Sequence, residues 1–184
     1  MYKTEVITRT LSVSDMMTRY YKPNVFIEAC KFCPSYGKLW SCPPDLPPTT
    51  EILKGYNTVI LSAIKVVYTT SDIILSRTMS VAERNEFKDN TYGVVKATLN
   101  EAMLNIEKII PNSLSVAAGE CKSCPFCTRQ ENKPCRFPEK MRYSFSALGF
   151  DITNMSNEVM NLELLWSDKE LPEYLTAITA LFIK

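Results

Sequence analysis

Residues 56–68 read Tyr-Asn-Thr-Val-Ile-Leu-Ser-Ala-Ile-Lys-Val-Val-Tyr, a run in which β-branched and other apolar residues predominate. Such a run is typical of a central strand that is buried on both faces of its sheet. Residues 174–183 form a second apolar run, which predicts a last buried strand, although a helix is also compatible with it. The two runs indicate a sheet at the centre of the domain.

The segment before the first apolar run predicts one strand and one helix. Residues 2–9 weakly favour a strand. Ser12 or Ser14 can cap a short helix that continues to about Tyr20, and Pro23 stops it.

The segment that follows the first apolar run predicts a long helix. Ser80-Val-Ala-Glu83 is a capping box, and Pro111 ends the helical pattern. An uninterrupted helix of about 30 residues would span about 45 Å, so we expect a break near Gly93. The apolar positions of the pattern are Phe87, Val94, Val95, Leu99, Met103, Ile106 and Ile110.

The C-terminal half predicts four further elements. Residues 113–118 favour a short strand, and a helix is expected over residues 139–148, with Gly149 as its stop. Asp151 can cap another short helix to about residue 160. Residues 162–166 favour a strand.

Four cysteines lie within fifteen residues, as Cys121-Lys-Ser-Cys124-Pro-Phe-Cys127 and, seven residues later, Cys135-Arg-Phe-Pro. Thiols at two-residue steps can turn inward around one centre, and a fourth can close a tetrahedral cage. The spacing resembles the runs that hold iron–sulfur clusters, although the bacterial ferredoxin run places its fourth cysteine three residues on. Zinc also accepts four thiolates. The spacing therefore predicts a metal site.

We favour a [4Fe–4S] cluster over zinc at these four cysteines. Successive two-residue gaps suit a cluster better than the paired knuckles of a zinc ribbon. Residues 121–142 also carry six Lys or Arg against two Glu, a local net charge of +4. Such a charge would stabilise an anionic cluster, although a solvated basic face explains it as well.

Cys124-Pro-Phe-Cys127 also has the form of a glutaredoxin-like redox dithiol. That function requires the first cysteine to be exposed at a helix N-terminus directly after a strand. Here Cys121 precedes the pair, and Thr-Arg-Gln-Glu-Asn-Lys-Pro follows it, which is a poor start for a helix. The metal hypothesis is therefore preferred.

A second group, Cys30, Cys33 and Cys42, lies in a segment with five prolines between residues 34 and 48, which predicts a stiff loop. Three thiolates can hold three irons of a four-iron cluster and leave the fourth iron open to a small ligand. They can equally hold zinc with an outside ligand. A third alternative pools cysteines from both loops into one site.

Five other residues of these segments have structural or binding interpretations. Gly37 permits a positive φ in a tight turn, and Tyr36 and Trp40 are expected to shape the loop and shield the site from water. Arg136 and Arg142 could bind an anionic substrate, but we favour structural ion pairs for them.

Composition narrows the classes of function. The 184 residues are 46% hydrophobic and 22% charged with a net charge of +1, which is ordinary for one globular domain. The lack of histidine excludes a Cys–His nucleophile, a histidine base and a mixed Cys/His zinc finger. We expect no signal segment, and no run approaches the roughly 18 apolar residues of a membrane helix. We expect a soluble, cytoplasmic protein that binds neither nucleic acid nor a membrane.

The two cysteine segments together resemble a family of uncharacterised microbial proteins that are described as predicted metal-binding proteins. The similarity lies in Cys30-x-x-Cys33-Pro-x-Tyr-Gly-Lys-x-Trp-x-Cys42-Pro-Pro and Cys121-x-x-Cys124-x-x-Cys127. It continues through Lys133-Pro-Cys135-Arg-Phe-Pro-Glu-Lys-x-Arg142 and Ala147-x-Gly149-x-Asp151. The resemblance implies metal binding and indicates no substrate.

The sequence thus predicts a single α+β domain over residues 1–184, a mixed sheet with helices, and two metal-binding cysteine loops at 30–48 and 119–138. One hypothesis is a small iron–sulfur protein that transfers electrons to a redox partner or supports small-substrate redox chemistry. A second is an enzyme with an open iron at Cys30, Cys33 and Cys42, in sulfur or one-carbon metabolism. A third is a zinc-stabilised interaction protein.

Overall fold

The computed structural model describes residues 2–167 and 169–184; Met1 and Asp168 lie outside it. Within these ranges the strands are β1 (Lys3–Ser12), β2 (Thr58–Val67), β3 (Ser113–Val116) and β4 (Tyr174–Ile183). The α-helices are α1 (Val13–Tyr20), α2 (Pro23–Cys30), α3 (Thr49–Ile52), α4 (Thr70–Ser76), α5 (Val81–Lys88), α6 (Val94–Ile109) and α7 (Ile152–Met160). A π-helical turn covers Asp89–Gly93, and a 3-10 turn covers Thr128–Glu131.

The strands form one antiparallel sheet in the order β1-β2-β4-β3. The α+β class is confirmed, but the mixed sheet that we predicted is wrong. The last residue of β1, Ser12, pairs with the first residue of β2, Thr58. Segment 13–57 therefore connects the two strands at one end of the sheet, and the strands run in opposite directions. At the other end of β2, Val67 pairs with Tyr174, the first residue of β4.

Helices cover both faces of the two central strands. Leu61 of β2 and Phe182 of β4 are buried against α1 and α7. On the opposite face, Leu181 packs with Leu99 and Met103 of α6. The predicted strands at 56–68 and 174–183 are therefore confirmed as the centre of the sheet. Burial along β2 alternates between full and partial, because α6 contacts mainly β4 and β3.

The predicted helix caps form, and the predicted helix break is a π-helical turn. Ser12 Oγ accepts from the Asp15 amide at 3.0 Å, and Ser80 and Glu83 form the reciprocal capping box. Within this turn, Asp89–Gly93, the Tyr92 hydroxyl donates a hydrogen bond to the Thr176 carbonyl at 3.1 Å. None of the described helices has the length and apolar character to cross a bilayer.

The helix that we predicted over residues 139–148 is wrong. These residues form turns and stretches without regular structure, and the Tyr143 and Leu148 carbonyls accept from residues far away in the chain. The Ala117 amide donates to the Tyr143 carbonyl at 2.7 Å. Gly149 does turn the chain, with φ +83°, and a Cβ at this position would lie 2.9 Å from Pro23 Cα.

Two further local expectations differ from the structure. The strand predicted at 162–166 is wrong: this segment has no regular structure, and the Leu162 amide instead bonds the Ser156 carbonyl at the end of α7. Pro23 was expected to stop α1, and it is also the first residue of α2. The sequence did not indicate this second helix. Proline is favoured at that position, where its missing N–H costs no hydrogen bond.

A half-buried ion pair joins α6 to the segment that follows the second cysteine loop. Glu107 accepts from Arg142 Nε at 2.9 and 3.1 Å and from the Ser115 amide of β3. The two side chains are 9% and 18% exposed respectively. Burial by itself would raise the pKa of Glu107, but the bonds from Arg142 and Ser115 outweigh burial and lower it. One carboxylate thus ties together a helix, an edge strand and a loop.

Replacing Glu107 with Gln is expected to lower the free energy of unfolding by about 3 kcal/mol at pH 7, because Arg142 then stays in place without its carboxylate. Glu101→Gln, at an exposed position of the same helix, is the matched control and is expected to change it by less than about 0.5 kcal/mol. Urea unfolding measures both.

The lowered pKa of Glu107 gives this contribution a pH dependence. It is complete above the unfolded-state pKa of about 4.3 and is lost as pH falls through the lower folded-state value. The difference in unfolding free energy between the parent protein and Glu107→Gln is therefore expected to shrink on acidification below about pH 4. A difference that grows on acidification would contradict this interpretation.

Candidate metal centre

Consecutive tight turns after α2 hold the first cysteine group. Cys30 is the last residue of α2, and its carbonyl accepts from the Cys33 amide at 2.9 Å. The Cys42 amide donates to the Leu39 carbonyl at 3.1 Å. Cys33 is exposed, whereas Cys30 and Cys42 are half-buried. A site at these three thiols would face solvent on the side of Cys33.

The turn at Gly37 closes the first loop on itself. Gly37 has φ +70°, a conformation that favours glycine, and its amide donates to the Pro43 carbonyl at 2.8 Å. The positive φ predicted for this residue is therefore confirmed. Residues 37 and 43 are thus held next to each other, which fixes the position of the neighbouring Cys42.

The second cysteine group lines one small cavity. All four predicted ligands of this loop are in its wall, together with residues of the first loop and Met141. The space in it is about 20 Å³, roughly that of a water molecule. The wall consists of Leu39, Trp40, Ser41, Cys121, Ser123, Cys124, Cys127, Cys135 and Met141. The cavity wall thus combines four cysteines with the apolar side chains of Leu39, Trp40 and Met141.

These thiols are neighbours but do not yet enclose a metal ion. Within residues 2–167 and 169–184, no three Cys, Asp or Glu side chains are close enough together to hold one. The thiol of Cys121 instead donates to Ser123 Oγ at 3.3 Å. Metal binding would require side-chain rotation around the cavity. The donor set still fits a thiolate-bound metal in its chemistry, because all four cysteines line the same space.

Burial and neighbouring groups raise the pKa of cysteines in both loops. Burial raises the pKa of Cys124, and the thiols of Cys121 and Cys127 raise it further. Burial also raises the pKa of Cys42, and there the added contributions come from Cys33, Glu120 and Cys30. Neighbouring thiols thus destabilise the thiolates of Cys124 and Cys42, an effect that a bound cation would oppose.

Arg129 joins the two loops. Its guanidinium donates to the carbonyls of Leu39 at 2.9 Å, Cys42 at 2.6 Å and Pro44 at 2.6 Å, and to Asp45 Oδ2 at 3.2 Å. The side chain is only 9% exposed, and it lies 5.3 Å from the centroid of the Trp40 ring. A single cation of the second loop therefore satisfies three carbonyls of the first.

Trp40 and Ser41 reinforce this connection from the other side. Trp40 Nε1 donates to the Lys133 carbonyl at 3.0 Å. Ser41, 1% exposed, accepts from the Cys121 amide at 3.3 Å and lies 3.8 Å from the Cys42 thiol. Ser41 thus contacts one cysteine of each group. The shielding role expected of Trp40 fits its place in the cavity wall.

The basic residues of the second loop are largely occupied by partners. Arg142 pairs with Glu107, so the structural ion pair expected for it is confirmed. Within the described residues Arg136 has no such ion pair, and its guanidinium instead donates to the Phe126 carbonyl at 3.1 Å. Lys133 pairs with Glu131 at 2.8 Å. The predicted surplus of positive charge therefore acts partly on the loop's own backbone and carboxylates.

Sequence reasoning missed Arg129 and Ser41 as residues that organise the site. An arginine or a serine in a polar loop has no periodicity or spacing that distinguishes it from a solvated residue. A signal was available only for Arg129, as one member of the basic cluster at 121–142.

Replacing Arg129 with Lys is expected to lower the unfolding free energy by about 3 kcal/mol, because an ammonium group cannot span three carbonyls at once. Hydrogen exchange of the amides in residues 37–45 is expected to accelerate as well. The matched control is Arg136→Lys, which removes a guanidinium bonded within its own loop. Equal stability and exchange rates in the two variants would contradict the proposed connection.

Comparison with known proteins identifies the family of this chain. Residues 18–183 match the family described as Predicted metal-binding protein (DUF2284). No curated protein and no solved structure matches the chain. The matched region contains all seven cysteines and both loops that Arg129 joins. The chain therefore belongs to this family of predicted metal-binding proteins, as its cysteine motifs suggested.

Proposed function

We propose that this protein binds a [4Fe–4S] cluster through Cys121, Cys124, Cys127 and Cys135, and that it serves electron transfer or small-substrate redox chemistry. The observation that carries the proposal is that these four thiols, and no other cysteine, line one cavity. Four thiolates are the ligand set of such a cluster.

The surroundings of the cavity support a redox cluster. Leu39, Trp40 and Met141 form an apolar wall that would limit the access of water to the sulfurs. The Cys121 amide points to Ser41 Oγ, so this backbone donor is already used. Burial and hydrogen bonding around the sulfurs are the means by which a protein adjusts the potential of a bound cluster.

One observation favours zinc as a second candidate. The space among the four cysteines is about 20 Å³, which suits a single ion better than a four-iron core. A cluster would therefore need the loop to open outward, whereas zinc would need only side-chain rotation. With zinc, the protein would be a structurally stabilised interaction module without redox chemistry.

The first cysteine group supports a second, open site. Cys33 is exposed, Cys30 and Cys42 are half-buried, and Cys33 raises the pKa of both of the other thiols. Three protein ligands leave one position of a metal or cluster free for an outside molecule. An enzyme that binds a small substrate there is the corresponding functional alternative.

The deciding experiment is metal and acid-labile sulfide analysis, with a visible spectrum, on protein purified without oxygen. One cluster predicts about four irons and four sulfides per chain with a broad band near 400 nm, and two clusters predict about eight of each. Zinc without sulfide would overturn the cluster proposal in favour of the structural module.

Single substitutions separate the two groups of thiols. Cys124→Ser is expected to abolish the cluster that the second loop would bind. Cys33→Ser, in the exposed position of the first loop, is the matched control and is expected to retain that cluster. Equal loss of iron and sulfide in both variants would instead indicate one site that pools cysteines from both loops.

A further inference from the structure

A groove of about 700 Å³ lies beside the second cysteine loop. One wall is the face of α6 that carries Glu101, Asn105 and Lys108. The other wall consists of residues 115–123 and the segment from Glu139 to Arg142. This volume lies within the range of small-molecule sites, which is about 300–1,000 Å³.

The groove and the four-cysteine cavity share part of one wall. Cys121 and Ser123 line both spaces, whereas the other three cysteines of that loop line only the small cavity. The thiol of Cys121 donates to Ser123 Oγ at 3.3 Å, so the two side chains form this wall together. A molecule in the groove would thus be separated from the metal site by a single layer of side chains.

The charges of the groove are of both signs. Arg142 is already paired with Glu107, and Lys122 lies 3.9 Å from Glu120. Four other charged groups line the groove, and within the described residues none of them forms an ion pair. They are Glu101, Lys108, Glu139 and Lys140.

The contacts of these four groups leave their charges open to a ligand. Lys108 Nζ bonds only the neutral Asn105 Oδ1, at 3.1 Å, and Lys140 Nζ lies 5.3 Å from the Phe137 ring centroid. A ligand with one charge would meet a like charge as well as an opposite one. A ligand with both charges can place its ammonium at a carboxylate and its carboxylate at a lysine, which is the arrangement of an amino acid or short peptide.

We propose that this groove binds a small zwitterionic molecule of the amino acid or short peptide class, and that the bound molecule contacts Cys121 and thereby perturbs the metal held by the second loop. The proposed binding depends only on the groove, whereas its coupling to a cluster rests on the function proposed above. The groove would then be the place where a small substrate or effector approaches the metal centre.

Binding is tested by calorimetric titration of the full chain, loaded with metal without oxygen, with glycylglycine as the zwitterionic probe. Acetate, methylammonium and inorganic phosphate are the single-sign probes. Glycylglycine is expected to bind at least about tenfold more tightly than any of these, since each lacks one of its two charge interactions. Equal or tighter binding of acetate or phosphate would overturn the zwitterion class, and no binding of any probe would overturn the site.

Variants of α6 locate the bound probe. Glu101→Gln and Lys108→Gln are each expected to raise the Kd for glycylglycine roughly tenfold, because each removes one charge-assisted bond. The matched control is Glu86→Gln on the exposed surface of α5, which is expected to leave the Kd unchanged. Unchanged affinity in both groove variants would place the probe elsewhere and overturn the proposal.

Spectra of the same samples test the coupling to the metal. For a chain that contains iron and sulfide, saturation with glycylglycine is expected to shift the visible band or the electron paramagnetic resonance signal of the reduced cluster. Binding without any spectral change would overturn the coupling. Metal and sulfide analysis of the same preparation distinguishes this outcome from failure of the cluster proposal, because the calorimetric result does not depend on which metal is bound.

Discussion

The guanidinium of Arg129 is the interaction on which the relation between the two cysteine loops depends. The first loop contains consecutive prolines at 43 and 44, which have no amide N–H to donate, and its carbonyls have no strand partner. Carbonyls withdrawn from water must find donors elsewhere. Arg129 supplies them for Leu39, Cys42 and Pro44 at once. The planar fork of arginine fits this role because several of its donors point in fixed directions.

The sheet and α6 determine where this joined pair of loops lies. The second loop begins directly after β3, the edge strand, and its far end is returned to α6 by the ion pair between Arg142 and Glu107. The first loop starts at the end of α2, where the Cys30 thiol lies 3.9 Å from the Ser146 carbonyl. Both loops are therefore held to the rest of the fold by contacts within the protein.

The two cavities have different chemical character, although Cys121 and Ser123 line both. The small one presents four thiols beneath apolar side chains, a setting for a soft metal and not for a polar molecule. The large one presents lysines and carboxylates on an open surface, a setting for a polar molecule. A metal centre that reacts with or responds to a small molecule needs both kinds of space in contact. The groove beside Cys121 supplies the second kind.

Local sequence determined most of the elements and the identity of the ligand candidates. The apolar runs at 56–68 and 174–183, the capping box at Ser80 and the cysteine spacing each act through neighbours in the chain, so pattern alone predicted them. Tertiary structure decided the antiparallel order of the sheet, the turns at 139–148 where a helix was expected, and the contacts of Arg129. Each of these depends on hydrogen bonds between residues far apart in sequence, such as Ala117 to Tyr143. The energy of such bonds depends on the folded arrangement, which no short stretch of residues specifies.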